Sequence, residues 1–245
     1  MIRFLLVALT LFSFLILSIP MLIYYHFLGK KNPDKKNWQC LKIVQFMFRL
    51  ILKISGVRCT VLGRENIPED TAVLYIGNHR SYFDILIGYA TVPGLTGFVA
   101  KKEMERYPSL RDWMRNVNCL FLDRENIKEG LKTILKGIEQ VKNGISIWIF
   151  PEGTRNEEGR LSELMPFKEG SLKIAEKSGC PVIPVAIAGT ADIFEKHIPF
   201  IRPAQVIIQY GEPIYLKKLP PEQKKFSGAY TREVIAGMLE KIEQE

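Results

Sequence analysis

Residues 72–84 read AVLYIGNHRSYFD, and this stretch joins an apolar run to a histidine and an aspartate. The first six residues are apolar and rich in β-branched and aromatic side chains, which predicts a buried strand. His79 would follow the end of that strand, and a helical turn after it would bring the carboxylate of Asp84 back to the imidazole ring. The stretch therefore predicts a strand, a turn and a helix, with a His–Asp pair at the turn.

A histidine held by a carboxylate is suited to activate a hydroxyl group. Neutral imidazole, with an ordinary pKa near ~6.5, accepts a proton at neutral pH, and a carboxylate on its second nitrogen fixes the tautomer. The alternative is structural: Ser81 and Asp84 have the spacing of a capping box that opens a helix. His79 would then be an ordinary loop residue.

The chain from residue 59 onward alternates short apolar runs with helical segments, which predicts an α/β domain with a layered, mixed central sheet flanked by helices. The run at 145–150 is almost continuously apolar, as in a strand that is buried on both faces. The predicted strands are 59–62, 72–77, 97–100, 119–122, 146–150, 182–188 and 205–210. The predicted helices are 82–90, 109–116, 127–143, 170–178 and 231–245.

Polar and basic residues follow three other predicted strands. In α/β sheets the loops at the carboxyl ends of the strands carry the functional groups, so these residues would lie near His79. Together they would form a basic pocket beside a general base, which suits a substrate with a phosphate and a hydroxyl. The alternatives are an ordinary charged surface turn at 151–156 and a solvated basic pair at 101–102. The residues concerned are Lys101, Arg124, Glu152, Gly153, Thr154 and Arg155.

Two motifs carry a resemblance to a known family. Residues 78–84 match Asn-His-x-Ser-x-x-Asp at every fixed position, and residues 150–155 read Phe-Pro-Glu-Gly-Thr-Arg. Both resemble signatures of the glycerolipid acyltransferase family, in particular its bacterial 1-acylglycerol-3-phosphate acyltransferases. Weaker similarities lie at 101–108 with 122–124, at 167–170 and at 182–185. The resemblance covers roughly residues 72 to 188, in the family's order and spacing.

Three positions depart from the family pattern. The second motif usually continues with Ser, where this chain has Asn156, and Gly is usual where Arg111 and Asn118 stand. Asn adopts a left-handed backbone more readily than most residues, so Asn118 is a mild change. Arg111 is the larger change, and it bears on the shape of the substrate channel.

The resemblance implies that an acyl group passes from acyl-CoA or an acyl carrier protein to the sn-2 hydroxyl of 1-acylglycerol 3-phosphate. The product would be phosphatidic acid, within phospholipid biosynthesis. His79 would be the general base and Asp84 would orient it; no metal and no cofactor besides the acyl donor is implied. Lys101, Arg124 and Arg155 would hold the phosphate, while Gly153 and Thr154 shape the loop and Glu152 orients the arginine or braces the loop.

Other functions compete with this one. The acceptor could instead be glycerol 3-phosphate or another lysolipid. A protein from another class, a non-catalytic phospholipid-binding module tethered to the membrane, would keep the cations but would not need the His–Asp pair. A serine hydrolase is less favoured because the chain has no Gly-x-Ser-x-Gly.

The N-terminal residues, 1–58, predict a two-helix membrane anchor that precedes the domain at 59–245. Residues 4–28 contain no Asp, Glu, Lys or Arg, although Pro20 interrupts them, and lysines follow. A helix of this length would cross a hydrocarbon core of about 30 Å. Residues 38–54 predict an amphipathic helix with a basic stripe, suited to the membrane interface, or else a core helix. We expect the anchor to dip into one leaflet, with a true span as the alternative.

Charge and cysteine content agree with a domain on the cytoplasmic face of the inner membrane. The net charge is +8 with a pI near 9.2, which favours an anionic membrane surface, and no zinc-finger or RNA-binding motif indicates nucleic acid. The four cysteines are widely spaced and form no metal-binding pattern, so we expect reduced thiols that fill apolar space.

Overall fold

The computed structural model describes residues 1–244, and within them seven strands form one sheet. Each strand overlaps a run predicted from the sequence. Their bounds are β1 Arg58–Leu62, β2 Leu74–Gly77, β3 Thr96–Lys101, β4 Leu120–Leu122, β5 Ser146–Ile149, β6 Val182–Ala188 and β7 Gln205–Tyr210.

The strand order in the sheet is β1-β7-β6-β2-β5-β3-β4. All neighbouring strands run parallel except β6 and β7, so the sheet is mixed, as predicted. β2 lies in the middle between β5 and β6, where Ile76 pairs with Ile149 on one side and Pro184 on the other. Because these three strands are parallel, the loops that follow them leave the same edge of the sheet side by side.

Helices cover both faces of the sheet. They are α1 Ile2–Leu17, α2 Ile19–Lys31, α3 Pro33–Ser55, α4 Phe83–Thr91, α5 Pro108–Asn116, α6 Ile127–Lys142, α7 Lys173–Ser178, α8 Pro221–Lys225 and α9 Ser227–Gln244. α8 was not predicted. The last predicted helix starts earlier than expected, at Ser227, and its final residue, Glu245, lies outside the described residues.

Two apolar cores result from the alternation of side chains along the buried strands. Tyr75 of β2 points to the face that α2 to α5 cover, where Trp148, Ile87 and Trp113 also lie. Leu74 and Ile76 point to the opposite face, which α6, α7 and α9 cover. Successive residues of a strand point to opposite faces, and this is why a continuous apolar run could fill both cores.

Residues 2–55 form three helices, not the two predicted. α1 ends at Leu17, and α2 begins within two residues with Pro20 in its first turn, because proline has no N–H to continue the preceding helix. The break is held by α5: Trp113 Nε1 donates to Ser18 Oγ at 2.8 Å. Within the described residues no single helix is long and apolar enough to span a membrane; only α1 and α2 together pass that test, and they are bent by 50° at the break.

α3 is a core helix, which was the alternative to the predicted interfacial helix at 38–54. Cys40, Leu41 and Ile51 are buried against the sheet domain. Gln45 Nε2 donates to the carbonyl oxygens of Tyr89 and Val92, both at 3.0 Å, at the C-terminal end of α4. Part of the polar stripe that suggested a membrane surface therefore satisfies carbonyls at a helix end.

The cysteines are all free thiols, and three of the four are buried as expected. Cys59 is the exception: it lies exposed on the edge strand β1. Burial raises the pKa of the Cys40 thiol to about 12, so this thiol stays protonated and fills space.

Candidate active site

His79 and Asp84 meet at the end of β2. His79 Nδ1 lies 2.8 Å from Asp84 Oδ2, and Asp84 stands in the first turn of α4. Asp84 is fully buried, whereas the imidazole keeps a small exposed fraction of 15%. The strand–turn–helix unit predicted from residues 72–84 therefore produces the predicted His–Asp contact.

The Asp84 carboxylate accepts three further hydrogen bonds. The backbone N–H groups of Arg80 and Ser81 donate to Oδ2, both at 2.8 Å, and the hydroxyl of Thr190 donates to Oδ1 at 2.5 Å. An ionised carboxylate is an acceptor only, so four donors suit it, including an Nδ1–H of His79. Donation from Nδ1 leaves the Nε2 of a neutral imidazole as the proton acceptor.

The capping alternative is also partly realised in this turn. Asp84 accepts from the N–H of Ser81, as in a capping box, and Ser81 Oγ accepts from the N–H of Phe83 at 2.9 Å. The same carboxylate thus starts α4 and holds the imidazole. The two interpretations of the spacing are compatible, because Oδ2 serves both contacts.

The imidazole ring is held on one face by an aromatic ring. Phe150 follows β5, and its ring stacks on that of His79 with centroids 4.2 Å apart and an angle of 12°. Among residues 1–244, Nε2 of His79 has no hydrogen-bond partner. The nitrogen opposite the Asp84 contact is therefore free to meet a substrate.

Glu152 braces the turn instead of orienting Arg155. Its Oε1 accepts from the N–H of His79 at 2.9 Å and its Oε2 from the N–H of Met165 at 3.0 Å. Burial raises the pKa of the Glu152 carboxyl, and the two N–H donors offset part of this shift. Two roles were predicted for Glu152, orienting the arginine or bracing the loop, and its contacts are those of a brace.

Two cationic side chains, those of Arg124 and Lys168, lie close to Gly153. Its φ of +81° lies in the left-handed region, and its carbonyl oxygen accepts from Nη1 of Arg124. A Cβ at this position would lie 3.0 Å from Nζ of Lys168 and 3.7 Å from Arg124. Burial lowers the pKa of Arg124. Two of the predicted site residues, Arg124 and Gly153, are therefore in direct contact, and Lys168 lies beside them.

Arg155 faces the other side of the His79 turn. Its guanidinium lies 4.0 Å from the centre of the Tyr82 ring and forms ion pairs with Glu157 at 3.2 Å and Glu195 at 3.4 Å. Glu195 Oε1 also accepts from the N–H of Tyr82 at 2.8 Å. Arg155 is thus anchored on the first motif, but its charge is already shared with two carboxylates.

Asn156 takes the place of the family's serine and ties the two motifs together. Its N–H donates to the carbonyl oxygen of His79 at 2.7 Å, and its side-chain Nδ2 donates to the backbone carbonyl oxygen of Glu163 at 2.7 Å. Arg80 reaches the same loop, where its guanidinium donates to the carbonyl oxygens of Glu158, Gly159 and Arg160. The side chain of Asn156 therefore adds a second contact within this loop.

Lys101 and Thr154 have no hydrogen bond to the other predicted site residues within residues 1–244. Lys101 is exposed at the end of β3, whereas its neighbour Lys102 forms an ion pair with Asp123 at 2.9 Å. Asn118 has a φ of +61°, as its tolerance of the left-handed region predicts. Arg111 lies on α5 and forms an ion pair with Asp112.

Sequence reasoning missed Thr190, Lys168, Tyr82 and Glu195 as members of the site. Thr190 follows β6, so the rule that placed the other candidates at strand ends would have found it. Lys168 stands in a stretch that resembles the family, but no local pattern links it to Gly153. No sequence pattern identifies Tyr82 and Glu195 as partners, because they are 113 positions apart and meet only when the segment 190–200 packs against the turn after His79.

Comparisons with known proteins agree with these motifs. A family model described as "Acyltransferase" matches residues 58–188. The 1-acyl-sn-glycerol-3-phosphate acyltransferase of Borreliella burgdorferi is 34% identical over 200 residues, which are 80% of this chain and 79% of that protein. That of Saccharomyces cerevisiae is 30% identical over 198 residues, 80% of this chain and 63% of that protein.

A solved structure resembles the whole chain. The crystal structure of the 1-acyl-sn-glycerophosphate (LPA) acyltransferase PlsC from Thermotoga maritima superposes with a TM-score of 0.84 at 27% sequence identity. The match covers 100% of this chain and 96% of that one, so it includes the N-terminal helices as well as the sheet.

Proposed function

The chain belongs to the acyltransferase family, and on this premise we propose that it transfers an acyl group from a thioester to the sn-2 hydroxyl of 1-acylglycerol 3-phosphate. The observation that carries the proposal is the His79–Asp84 contact of 2.8 Å beside an unengaged Nε2. The donor is acyl-CoA or an acyl carrier protein, and the product is phosphatidic acid. The names of the relatives at 34% and 30% identity support the choice of acceptor.

In the proposed reaction His79 is the general base. Its Nε2 takes the proton of the acceptor hydroxyl while the oxygen attacks the carbonyl carbon of the thioester, which gives a tetrahedral intermediate. The intermediate collapses as the carbon–sulfur bond breaks, and the imidazolium returns the proton to the thiolate. Asp84 stabilises the transient imidazolium and keeps Nδ1 protonated. The new ester leaves with the acceptor, and the enzyme is unchanged.

The acceptor phosphate would lie among the cations beside this pair. Arg124 and Lys168 converge on the Gly153 turn, and Arg155 lies on the Tyr82 ring. A guanidinium offers paired N–H donors to phosphate oxygens. We expect Arg155 to exchange its contact with Glu157 for the phosphate, and Lys101 to approach from the end of β3.

The proposed acceptor has one acyl chain and therefore resides in a membrane, so the enzyme has to meet a lipid surface. α1 and α2 present an apolar outer face, and Lys30 and Lys31 at the end of α2 would meet anionic headgroups. We propose that these helices lie in one leaflet, on the cytoplasmic face of the inner membrane. The exposed apolar residues of these helices include Ile2, Leu5, Leu9, Phe12, Ile16, Leu17, Ile19, Ile23 and Phe27.

The test of the proposed function is acyl transfer to lysophosphatidic acid in mixed micelles, with palmitoyl-CoA as donor. His79→Ala should lower kcat/KM by about 10²–10⁴-fold, the usual contribution of a general base. The matched control is His197→Ala, because His197 follows Glu195 in a 3₁₀ helix but forms no hydrogen bond or ring contact with His79 or Asp84 within residues 1–244. Equal activity of the parent and the His79→Ala variant would show that His79 is not the general base. Activity on glycerol 3-phosphate but not on lysophosphatidic acid would identify glycerol 3-phosphate as the acceptor.

A further inference from the structure

The outer face of α6 carries an apolar stripe that no described part of the chain covers. Ile127, Leu131 and Leu135 are 89%, 56% and 57% exposed. Their spacing of four places them one above the other on the helix. The inward face of the same helix is separately filled, since Ile134, Ile138 and Val141 join the core beneath. α6 therefore has two apolar faces, and only the inner one is explained by folding.

A basic stripe runs beside the apolar one. Lys128, Lys132 and Lys136 follow Ile127, Leu131 and Leu135 by one position each, and all three are exposed. Lys132 forms an ion pair with Glu129 at 2.7 Å, whereas Lys128 and Lys136 have no ion-pair partner within residues 1–244. Contiguous exposed apolar residues beside unpaired charges are typical of an interaction surface.

The N-terminal end of α6 adjoins the candidate active site. Asp123 Oδ1 accepts from the N–H of Asn126 at 3.0 Å, and Asn126 in turn caps the helix. Arg124, one of the two residues between them, donates to the carbonyl oxygen of Gly153. A molecule that docks on the outer face of α6 is therefore delivered next to the loop that holds His79.

We propose that this face of α6 docks an acidic protein that carries the acyl group as a thioester. The inference rests on the proposed acyl transfer and adds to it the surface and the class of the donor. An acidic helix with apolar residues along its centre would cover the Ile/Leu stripe and neutralise the lysines, which combines apolar burial with charge complementarity. The stripe extends along more than two helical turns, an area that suits a protein surface better than a low-molecular-weight donor such as acyl-CoA.

A membrane is a less suitable occupant for this surface. α6 covers the face of the sheet that carries Leu74 and Ile76, whereas α1 to α3 belong to the layer on the opposite face. One flat lipid surface does not contact the outer sides of two opposite layers. If α1 and α2 lie in the membrane, the outer face of α6 is turned away from it and open to a soluble partner.

The test compares two donors on one pair of variants. Lys128→Glu with Lys136→Glu reverses the two unpaired lysines, and Lys224→Glu with Lys241→Glu, on α8 and α9, makes the same change of charge elsewhere. With palmitoyl acyl carrier protein as donor, the double variant on α6 should have a kcat/KM roughly tenfold lower than the parent. Its kcat/KM should also depend much less on salt concentration than that of the parent. With palmitoyl-CoA both variants should match the parent, and the matched control should match it with either donor.

Binding of the carrier protein alone, measured by fluorescence anisotropy, makes the test independent of turnover. Weaker binding by the α6 variant, with unchanged melting temperature, would support the docking surface even if no acyl transfer to lysophosphatidic acid is found. Equal binding by parent and variant would overturn it, as would an equal loss with both donors. A variant that binds the carrier normally but anionic vesicles more weakly would assign the face to the membrane.

Discussion

Asp84 depends on a donor that is far away in the chain. Thr190 lies 106 positions after it and donates its hydroxyl to Oδ1, while the other oxygen holds His79 and two backbone N–H groups. Because the carboxylate is fully buried, a missing donor cannot be replaced by bulk water. Thr190 is therefore a positioning residue for the His79–Asp84 pair.

Thr190→Val should lower kcat by about tenfold and leave KM nearly unchanged, since the substitution keeps the shape and removes only the hydrogen bond. The free energy of unfolding should fall by about 1–3 kcal/mol, the usual cost of an unsatisfied buried group. Thr190→Ser should restore both. Steady-state kinetics on lysophosphatidic acid and urea unfolding check this. A variant that is less stable but has the parent's kcat would leave Thr190 with a structural role only.

Glu152 predicts a pH dependence of stability. Its pKa is raised by burial in the folded state, so between the ordinary glutamate value near ~4.3 and the raised value the folded state binds more protons than the unfolded state. The contribution of this group to the free energy of unfolding therefore falls as the pH rises through that window.

Glu152→Gln removes this titration. The difference in unfolding free energy, parent minus variant, should decrease with rising pH across the window and become constant above it. Urea unfolding at several pH values from about 4 to 7 measures it. The other carboxylates cancel in the difference, because both proteins contain them. A difference that increases with pH would contradict the raised pKa.

At the scale of elements, the turn after β5 requires glycine for two separate reasons. Gly153 has a φ of +81°, and a Cβ there would lie 3.0 Å from the ammonium group of Lys168. Gly144, just before β5, has a φ of +79° with nothing within 4 Å of the added atom. The two glycines share the backbone strain and differ only in what surrounds them.

Gly153→Ala and Gly144→Ala should each lower the free energy of unfolding by about 1–2 kcal/mol, the cost of a left-handed non-glycine residue. Only Gly153→Ala should raise KM for the phosphate-bearing acceptor, by several-fold, because it displaces Lys168. Thermal unfolding and kinetics on both variants measure these effects. An equal KM for the acceptor in the two variants would mean that the Gly153 turn does not contribute to phosphate binding.

The strands and the His–Asp contact were predictable because both depend on local sequence. An apolar run bounded by turns identifies a buried strand, and a spacing of five brings Asp84 back to His79. The placement of 38–54 was not predictable, since a wide apolar face with polar residues beside it suits a membrane and a core equally well. Thr190 and Lys168 reach the site only through the tertiary fold, which local spacing does not encode.

At the scale of the whole molecule, the N-terminal helices differ in how far they belong to the core. Leu41, Ile51 and Leu52 of α3 are buried with the sheet residues, whereas within α1 no residue is fully buried. Removing residues 1–58, the predicted anchor, would expose the core that α3 covers, so we expect the domain to unfold. The proposed contact with a membrane is therefore better tested on the outer face of α1.

Leu9→Ser with Phe12→Ser changes that face without touching the core, since the two side chains are 65% and 62% exposed. A fully buried leucine or phenylalanine contributes roughly 1.5–3 kcal/mol, so binding to vesicles of phosphatidylcholine and phosphatidylglycerol should weaken by tenfold or more, whereas the melting temperature stays unchanged. The matched control is Tyr215→Ser with Phe226→Ser, two exposed aromatic residues near α8. Vesicle co-sedimentation measures binding. An equal effect of both pairs would mean that apolar exposure in general, and not α1, holds the enzyme at the lipid surface.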